Sequence, residues 1–328
     1  MKFLGTTLSK GVMKRTVQIT GSAIAVAVFT SLAIAYYTMP PTGFPSGTVV
    51  DIRQGMTMNE VADLLSSKGL IKSRTLFKAY ATLLDGTTGV KQGEYAFYSP
   101  QSSLGVAYRL DRGLEGFPLA KVTIPEGADA AETASIISRA IPGFDAKGFM
   151  TLAKPQEGYL FPDTYFWPTN LTPQKAISDM RSVFDGKIAA ISGDIASSGK
   201  SESDVIKMAS IVEKEAASTT DRRIIAGILW KRLDQGMPLQ VDPTLIYITG
   251  KPWSQLTVYD LATTSPYNSY KYKGLPPTPI DSPGLDAIRD TLHPTQTPYL
   301  YYLSDKSGVI HYASTLAGHV ANKQKYLD

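Results

Sequence analysis

The longest uncharged apolar stretch of the chain runs from 17 to 37, VQITGSAIAVAVFTSLAIAYY. As a helix rising about 1.5 Å per residue it covers roughly 30 Å, the thickness of a bilayer core. Lys14 and Arg15 stand just before it, and Tyr36 and Tyr37 close it as an interfacial aromatic pair would. The pattern predicts a cytoplasmic tail at 1–16, a single membrane anchor at 17–37, and everything beyond about residue 40 on the far side of a cell membrane. Ala33-Ile34-Ala35 also has the small-x-small look of a cleaved signal peptide. A secretory apolar core spans about 7–15 residues, however, so the retained anchor is preferred. Both readings export the rest of the chain. Residues 38–47, containing MPPTGFPSG, read as a short, stiff linker.

Beyond the linker the periodicity alternates between strand and helix. TVVDI reads as a strand, Gly55 as a turn, and MNEVADLLSSKGLI as a helix with Val61, Leu64 and Leu65 on one face. SRTLFKAYATLL (73–84) predicts a second helix capped by Ser73, and VKQGEYAFYS (90–99) an aromatic strand. The pattern then recurs. VVDIRQGMTMNEVADLL (49–65) and KVTIPEGADAAETASII (121–137) match at Ile52/Ile124, Gly55/Gly127, Glu60/Glu132 and Ala62/Ala134. Two related strand–turn–helix modules explain this; so does the ordinary use of Gly between a strand and a helix.

EGYLFPDTYFWP (157–168) reads as an aromatic, loop-rich stretch. Long helices are predicted over 172–191, from about Ser203 to Ala217, and across Arg222–Asp234. TPYLYYLS (297–304) and VIHYAS (309–314), joined by Asp305-Lys306-Ser307-Gly308, predict a hairpin. The class is α+β.

Composition narrows the function. The 328 residues carry 33 Lys plus Arg against 29 Asp plus Glu, but Lys2, Lys10, Lys14 and Arg15 lie in the first 39 residues with no acid among them. The exported part is therefore neutral, which argues against a nucleic-acid partner. Zero cysteines exclude disulfides, thiol catalysis and cysteine-ligated metals. His293, His311 and His319 lack the i, i+4 spacing of a helical metal pair, so neither a metal nor another cofactor is expected.

The sharpest chemical signal is MASIVEKEA (208–216), preceded by the capping sequence Ser201-Glu-Ser-Asp204. On a helical wheel Glu215 falls about 60° from the centre of the apolar arc, between Ile211 and Met208, whereas Lys214 points away. A carboxyl in apolar surroundings is a weaker acid than usual and can donate a proton near neutrality. Glu-Lys-Glu is also an ordinary solvated helix stretch, and the wheel alone does not separate the two.

Six segments, in order, separate them by resemblance. EGYLFPDTY (157–165), ASIVEKEA (209–216), GILWKRLDQGMPLQVDPTLIY (227–247), SPYNSYKYKGLPPTPIDSPG (265–284), HPTQTPYLYYLSD (293–305) and IHYASTLAGH (310–319) resemble the endolytic murein transglycosylase, YceG-like family across essentially the whole exported part. The resemblance implies a small LysM-like module at 48–115 and a mixed α/β catalytic domain at 116–328, with the second strand–helix module within 120–150. It places the catalytic acid on the second Glu of the EKE motif, Glu215. It implies nonhydrolytic cutting of nascent peptidoglycan glycan strands at the MurNAc-β-1,4-GlcNAc bond, which leaves 1,6-anhydro ends, limits strand length and occurs beside peptidoglycan synthases. Thr278 stands where the family often has glycine, and Gly318 where it often has an acid.

For sugar contacts the sequence offers Gln240, Asp242 and Thr244 of LQVDPTLIY and Tyr267, Asn268 and Tyr270 of SPYNSY, with Glu157 and Asp163 as an outer polar set. Each of these also has a structural reading as a cap, turn or packed loop. A hydrolytic muramidase would need Asp242 or Glu157 as a second carboxyl. A membrane-tethered glycan-binding scaffold would need no reactive acid.

Overall fold

The computed structural model describes residues 10–85 and 90–327, so most of the expected tail at 1–16 lies outside the described residues. The chain divides into two compact units, one ending at Pro118 and the other beginning at Leu119.

The first unit opens with α1, Lys10–Thr38. Its segment Val17–Thr38 is long and apolar enough to cross a membrane, and none of it is buried. The end of this helix is tied down. Thr38 Oγ1 lies 2.7 Å from the Tyr80 hydroxyl, and Lys72 donates to the Tyr36 carbonyl while its ammonium sits 4.1 Å from the Tyr36 ring centre. The segment expected to be a spacer is packed as well: Phe44 rests on the core against Phe97, and Gly47 N–H donates to the Phe97 carbonyl. Its proline and glycine residues shape a fitted turn here.

After it come β1 (Thr48–Ile52), α2 (Met58–Ser67), α3 (Arg74–Asp85), β2 (Gly93–Phe97) and α4 (Ser103–Arg112). The strands pair antiparallel with Val50 opposite Tyr95. Val50, Val61, Leu65, Phe77, Tyr95 and Leu110 close the core beneath them. The helix α4 is absent from the sequence reading, although Ser102 caps it and Gly113 ends it in the left-handed conformation.

The second unit begins with the same order: β3 (Leu119–Thr123), α5 (Ala130–Ala140), α6 (Ala146–Ala153) and β4 (Thr164–Pro168). β3 and β4 pair antiparallel with Val122 opposite Tyr165, the counterpart of Val50 and Tyr95. In each copy a glycine turns the chain after the strand, Gly55 at φ 85° and Gly127 at φ 76°. A reciprocal capping box then starts the helix, Thr57 with Glu60 and Asp129 with Glu132. The repeat thus extends to a second helix and a closing strand that sequence matching misses. β4 also corrects the reading of 157–168 as loop: Tyr165 and Trp167 alternate inward along a strand, bounded by Pro162 and Pro168.

The rest is largely helical: α7 (Pro173–Ala189), α8 (Ser192–Ser198), α9 (Glu202–Glu215), α10 (Thr219–Asp234), α11 (Asp242–Thr249) and α12 (Leu285–Leu292). The hairpin β5 (Tyr301–Ser304) and β6 (Ile310–Ala313) and the helix α13 (Leu316–Tyr326) complete it. α9 is the central helix, packed against α10, α11 and α12. Val205, Ile206 and Ala209 face one cluster with Phe184 and Ile288, while Met208, Ile211 and Val212 face another with Leu229 and Val241. Apolar contacts on both sides fix the direction in which its last turn emerges. Behind it, Asp290 of α12 accepts from Arg222 at 2.8 Å and Arg223 at 3.0 Å on α10, which joins the two flanking helices.

Candidate active site

Glu215 is the final residue of α9; Ala216 leaves in extended conformation. The three acidic and basic residues of EKE part company here. The Glu213 carboxylate accepts the Gly284 N–H at 2.9 Å, and Lys214 is exposed, its side chain running beneath Gly127. Glu215 turns into a half-buried site, where burial pushes its carboxyl up to about 7. The Tyr302 hydroxyl donates to that carboxyl and Arg232 lies within electrostatic reach, both favouring the charged form, while the charge of Asp242 disfavours it. The negative end of the α9 dipole acts in the same direction as Asp242.

Each of these neighbours is itself held. Arg232 is buried, with Nε donating to the Leu300 carbonyl at 2.7 Å and Nη1 to that of Leu239. Its guanidinium lies 5.2 Å from the centre of the Tyr301 ring. It reaches the site as a cation with no carboxylate partner among the described residues. Asp242, the first residue of α11, accepts from the Tyr270 hydroxyl at 2.6 Å and from Trp253 Nε1 at 3.0 Å. Burial and the paired carboxylate of Asp242 hold the Tyr270 phenol far above its ordinary range, so it remains a donor. Burial does the same to Tyr302, reinforced by the charge of Glu215.

The residues singled out in the sequence divide into four groups. Asp242 shares the site with Glu215. Gln240 and Thr244 frame it: Thr244 is buried, its hydroxyl bonded to the Val241 carbonyl and 2.8 Å from Ser269 Oγ. Gln240 donates its N–H to the Ser269 carbonyl and holds φ 53°, the one positive φ outside glycine among the described residues. Such a backbone costs about 1–3 kcal/mol and is retained where its surroundings impose it. Together these bonds clamp 240–244 to 268–270 and bring Tyr270 onto Asp242.

Tyr267 and Asn268 line the other side of that clamp. Tyr267 stacks at a tilt on Tyr247 and meets the Thr278 hydroxyl at 2.8 Å. Asn268 is fully buried, its amide donating to the Leu261 and Thr263 carbonyls and its oxygen accepting the Tyr270 N–H. Its side chain is thus engaged by its own loop rather than turned to an open groove.

Glu157 and Asp163 lie apart from the groups that act on Glu215. Glu157 is buried and accepts the Ala130 N–H at the start of α5 at 2.9 Å, Lys154 at 3.2 Å and the Tyr247 hydroxyl at 3.3 Å. Burial pushes it up to about 7 against the pull of Lys154. Asp163 is exposed and accepts the N–H of Thr164 at the start of β4. The residues that sequence reasoning missed are Arg232 and Tyr302, which no periodicity distinguishes from core residues, and Asp281. The last is fully buried with neither oxygen bonded, and burial holds its carboxyl well above the ordinary range.

A carboxyl that titrates near neutrality, with a cation ready to receive its charged form, can serve as an acid–base centre on an α+β scaffold. Comparison with known proteins gives that class a family. The YceG-like family matches residues 50–325, and the chain belongs to it. An endolytic murein transglycosylase of Bacillus subtilis is 30% identical over 305 residues, covering 85% of this chain and 84% of that protein. A protein of the same description from Streptococcus pneumoniae D39 is 29% identical over 85% of this chain and 58% of its own length. A crystal structure of a YceG-like protein from Listeria monocytogenes superposes with a TM-score of 0.58 at 29% identity, covering 84% of this chain and 99% of that one.

Proposed function

We propose that this protein is a lytic transglycosylase, a lyase that cuts peptidoglycan strands internally at the MurNAc-β-1,4-GlcNAc bond. The observation that carries the reading is Glu215, a protonatable carboxyl at the end of a rigid central helix, facing Arg232 and Tyr302. Glu215 gives its proton to the glycosidic oxygen as the bond to the muramic C1 breaks. Positive charge develops at C1, and the new carboxylate is stabilised by Arg232 and the Tyr302 hydroxyl. It then takes the proton of the same sugar's C6 hydroxyl, whose oxygen closes onto C1. The 1,6-anhydro ring forms, Glu215 is protonated again, and no water is consumed. Gln240 and Tyr267, on the two segments clamped around Asp242, would contact the strand.

Asp242 supports a second reading, hydrolysis with two carboxyls. Both of its oxygens, however, already accept bonds from Tyr270 and Trp253, which suits a fixed charge better than a nucleophile or base. As a fixed charge it raises the proton affinity of Glu215, and this has a testable consequence. Because Glu215 must begin protonated, kcat/KM falls as pH rises through about 7. Asp242→Asn removes a negative neighbour, lowers that pKa and moves the falling limb to lower pH. An unmoved limb in the measured pH–rate profile contradicts the assignment.

The βααβ order of 48–97 suits a LysM-like glycan-holding module, and α1 suits a single-pass anchor with its N-terminus in the cytoplasm. Because the end of α1 is bonded to this module, the module would ride at the membrane surface. Strands would then be cut as they leave the synthases, which limits their length.

A further inference from the structure

A concave site lies along the helix that ends in Glu215. Lys207, Tyr272, Lys273, Leu275 and Pro276 wall a groove of about 510 Å³, with Thr264 and Ser265 at its rim. Lys207 precedes Glu215 by two turns of α9, about 12 Å along the axis and some 80° around it. The opposite wall belongs to the loop that carries Tyr270, the partner of Asp242, so one loop borders both sites.

The charge of this groove is one-sided. Lys207 and Lys273 have no carboxylate partner among the described residues, and Lys271 donates to the rim hydroxyl of Thr264 at 2.8 Å. The whole stretch 261–280 contains no Asp or Glu. Lys207 is half-buried, its stem lying along the helix, whereas Lys273 and Tyr272 reach solvent. Two unpaired ammonium groups, hydroxyl donors and proline and tyrosine faces make a site for a short anionic peptide. A neutral sugar ring has no use for the charge.

We propose that this groove receives the carboxylate-bearing stem peptide of the strand whose glycosidic bond lies at Glu215. The proposal rests on the peptidoglycan reading above and adds to it what the enzyme recognises beside the sugars. Lys207 and Lys273 bind the stem carboxylates, Tyr272 covers the peptide, and Pro276 gives the groove a rigid wall.

The test uses the full-length protein and three preparations of uncrosslinked strands: stems intact, stem carboxylates amidated, and stems removed to leave only the lactyl carboxylate. The wild type is expected to favour intact over amidated stems by about tenfold in kcat/KM, through KM. In Lys207→Gln/Lys273→Gln that ratio falls to near one, and in Lys207→Arg/Lys273→Arg most of it returns. A wild-type ratio near one overturns the proposal while the cutting itself upholds the peptidoglycan reading. So does a ratio that survives in the Gln variant. Equal preference for stripped and intact strands also overturns it, since the lactyl carboxylate would then be the group bound. A wild type that cuts none of the three preparations defeats the peptidoglycan reading, and the proposal with it.

Discussion

Replacing Glu215 by Gln is expected to lower strand cutting by about a thousandfold and to leave the fold intact. Gln keeps the shape of the side chain and can still accept from Tyr302, but it has no proton to give a leaving oxygen and cannot take one back. General acid–base groups contribute on the order of 10²–10⁴ in rate, and a thousandfold is the middle of that range. The variant removes an ionisable group that burial disfavours in its charged form, so thermal stability at neutral pH is retained or rises slightly. Circular dichroism melting together with turnover of labelled strands checks both statements. Cutting within a factor of a few of the wild type would mean that another group supplies the proton.

The largest expected loss of stability lies behind the site, at Asp290→Ala. Asp290 and Arg222 have side chains only 4% and 9% exposed, and the same carboxylate also holds Arg223. Removing it leaves the Arg222 guanidinium buried with only the Ala217 carbonyl at 3.1 Å and the Thr219 hydroxyl at 3.5 Å to accept from it. Breaking a buried pair from one side costs about 3–5 kcal/mol, which in a domain of this size lowers the melting temperature by about 10 °C. The double replacement Arg222→Met/Asp290→Leu removes both charges and should recover most of the loss. Melting curves of the two variants test this; a single variant that melts within 2–3 °C of the wild type would show that α10 and α12 are held together by other contacts.

What could be read in the sequence was local. Caps and apolar periodicity were sufficient for α2, α7, α9 and α10, and Asp305-Lys306-Ser307-Gly308 for the final hairpin. Short helices were missed both where the local signal is thin, as in α12, which begins at Gly284 without a side-chain cap, and in α4 despite its Ser102 cap and Gly113 stop. β4 was hidden by flanking prolines, because its inward Tyr165 and Trp167 sit in a stretch aromatic on every side.

The site divides along the same line. Periodicity placed Glu215 beside the apolar face of one helix, but the resemblance of the EKE segment to the family, not the wheel, singled it out. Arg232 and Tyr302 meet it only after α10 and β5 fold back across α9, and such meetings leave no trace in periodicity. Asn268 and Glu157 carry groups suited to sugar recognition, yet each is consumed by structure: the amide closes its own loop and the carboxylate caps α5. Tertiary contacts decide which of several suitable polar residues faces an open groove.

The most direct test of the central claim is the chemistry of the new ends. Full-length protein in detergent is incubated with uncrosslinked, peptide-bearing glycan strands, and the products are identified by mass spectrometry. The account predicts internal cuts that end in 1,6-anhydro-muramic acid and disappear with Glu215→Gln. Reducing ends heavier by one water would contradict the ring-closing mechanism and would assign a hydrolysis to Glu215 and Asp242 together.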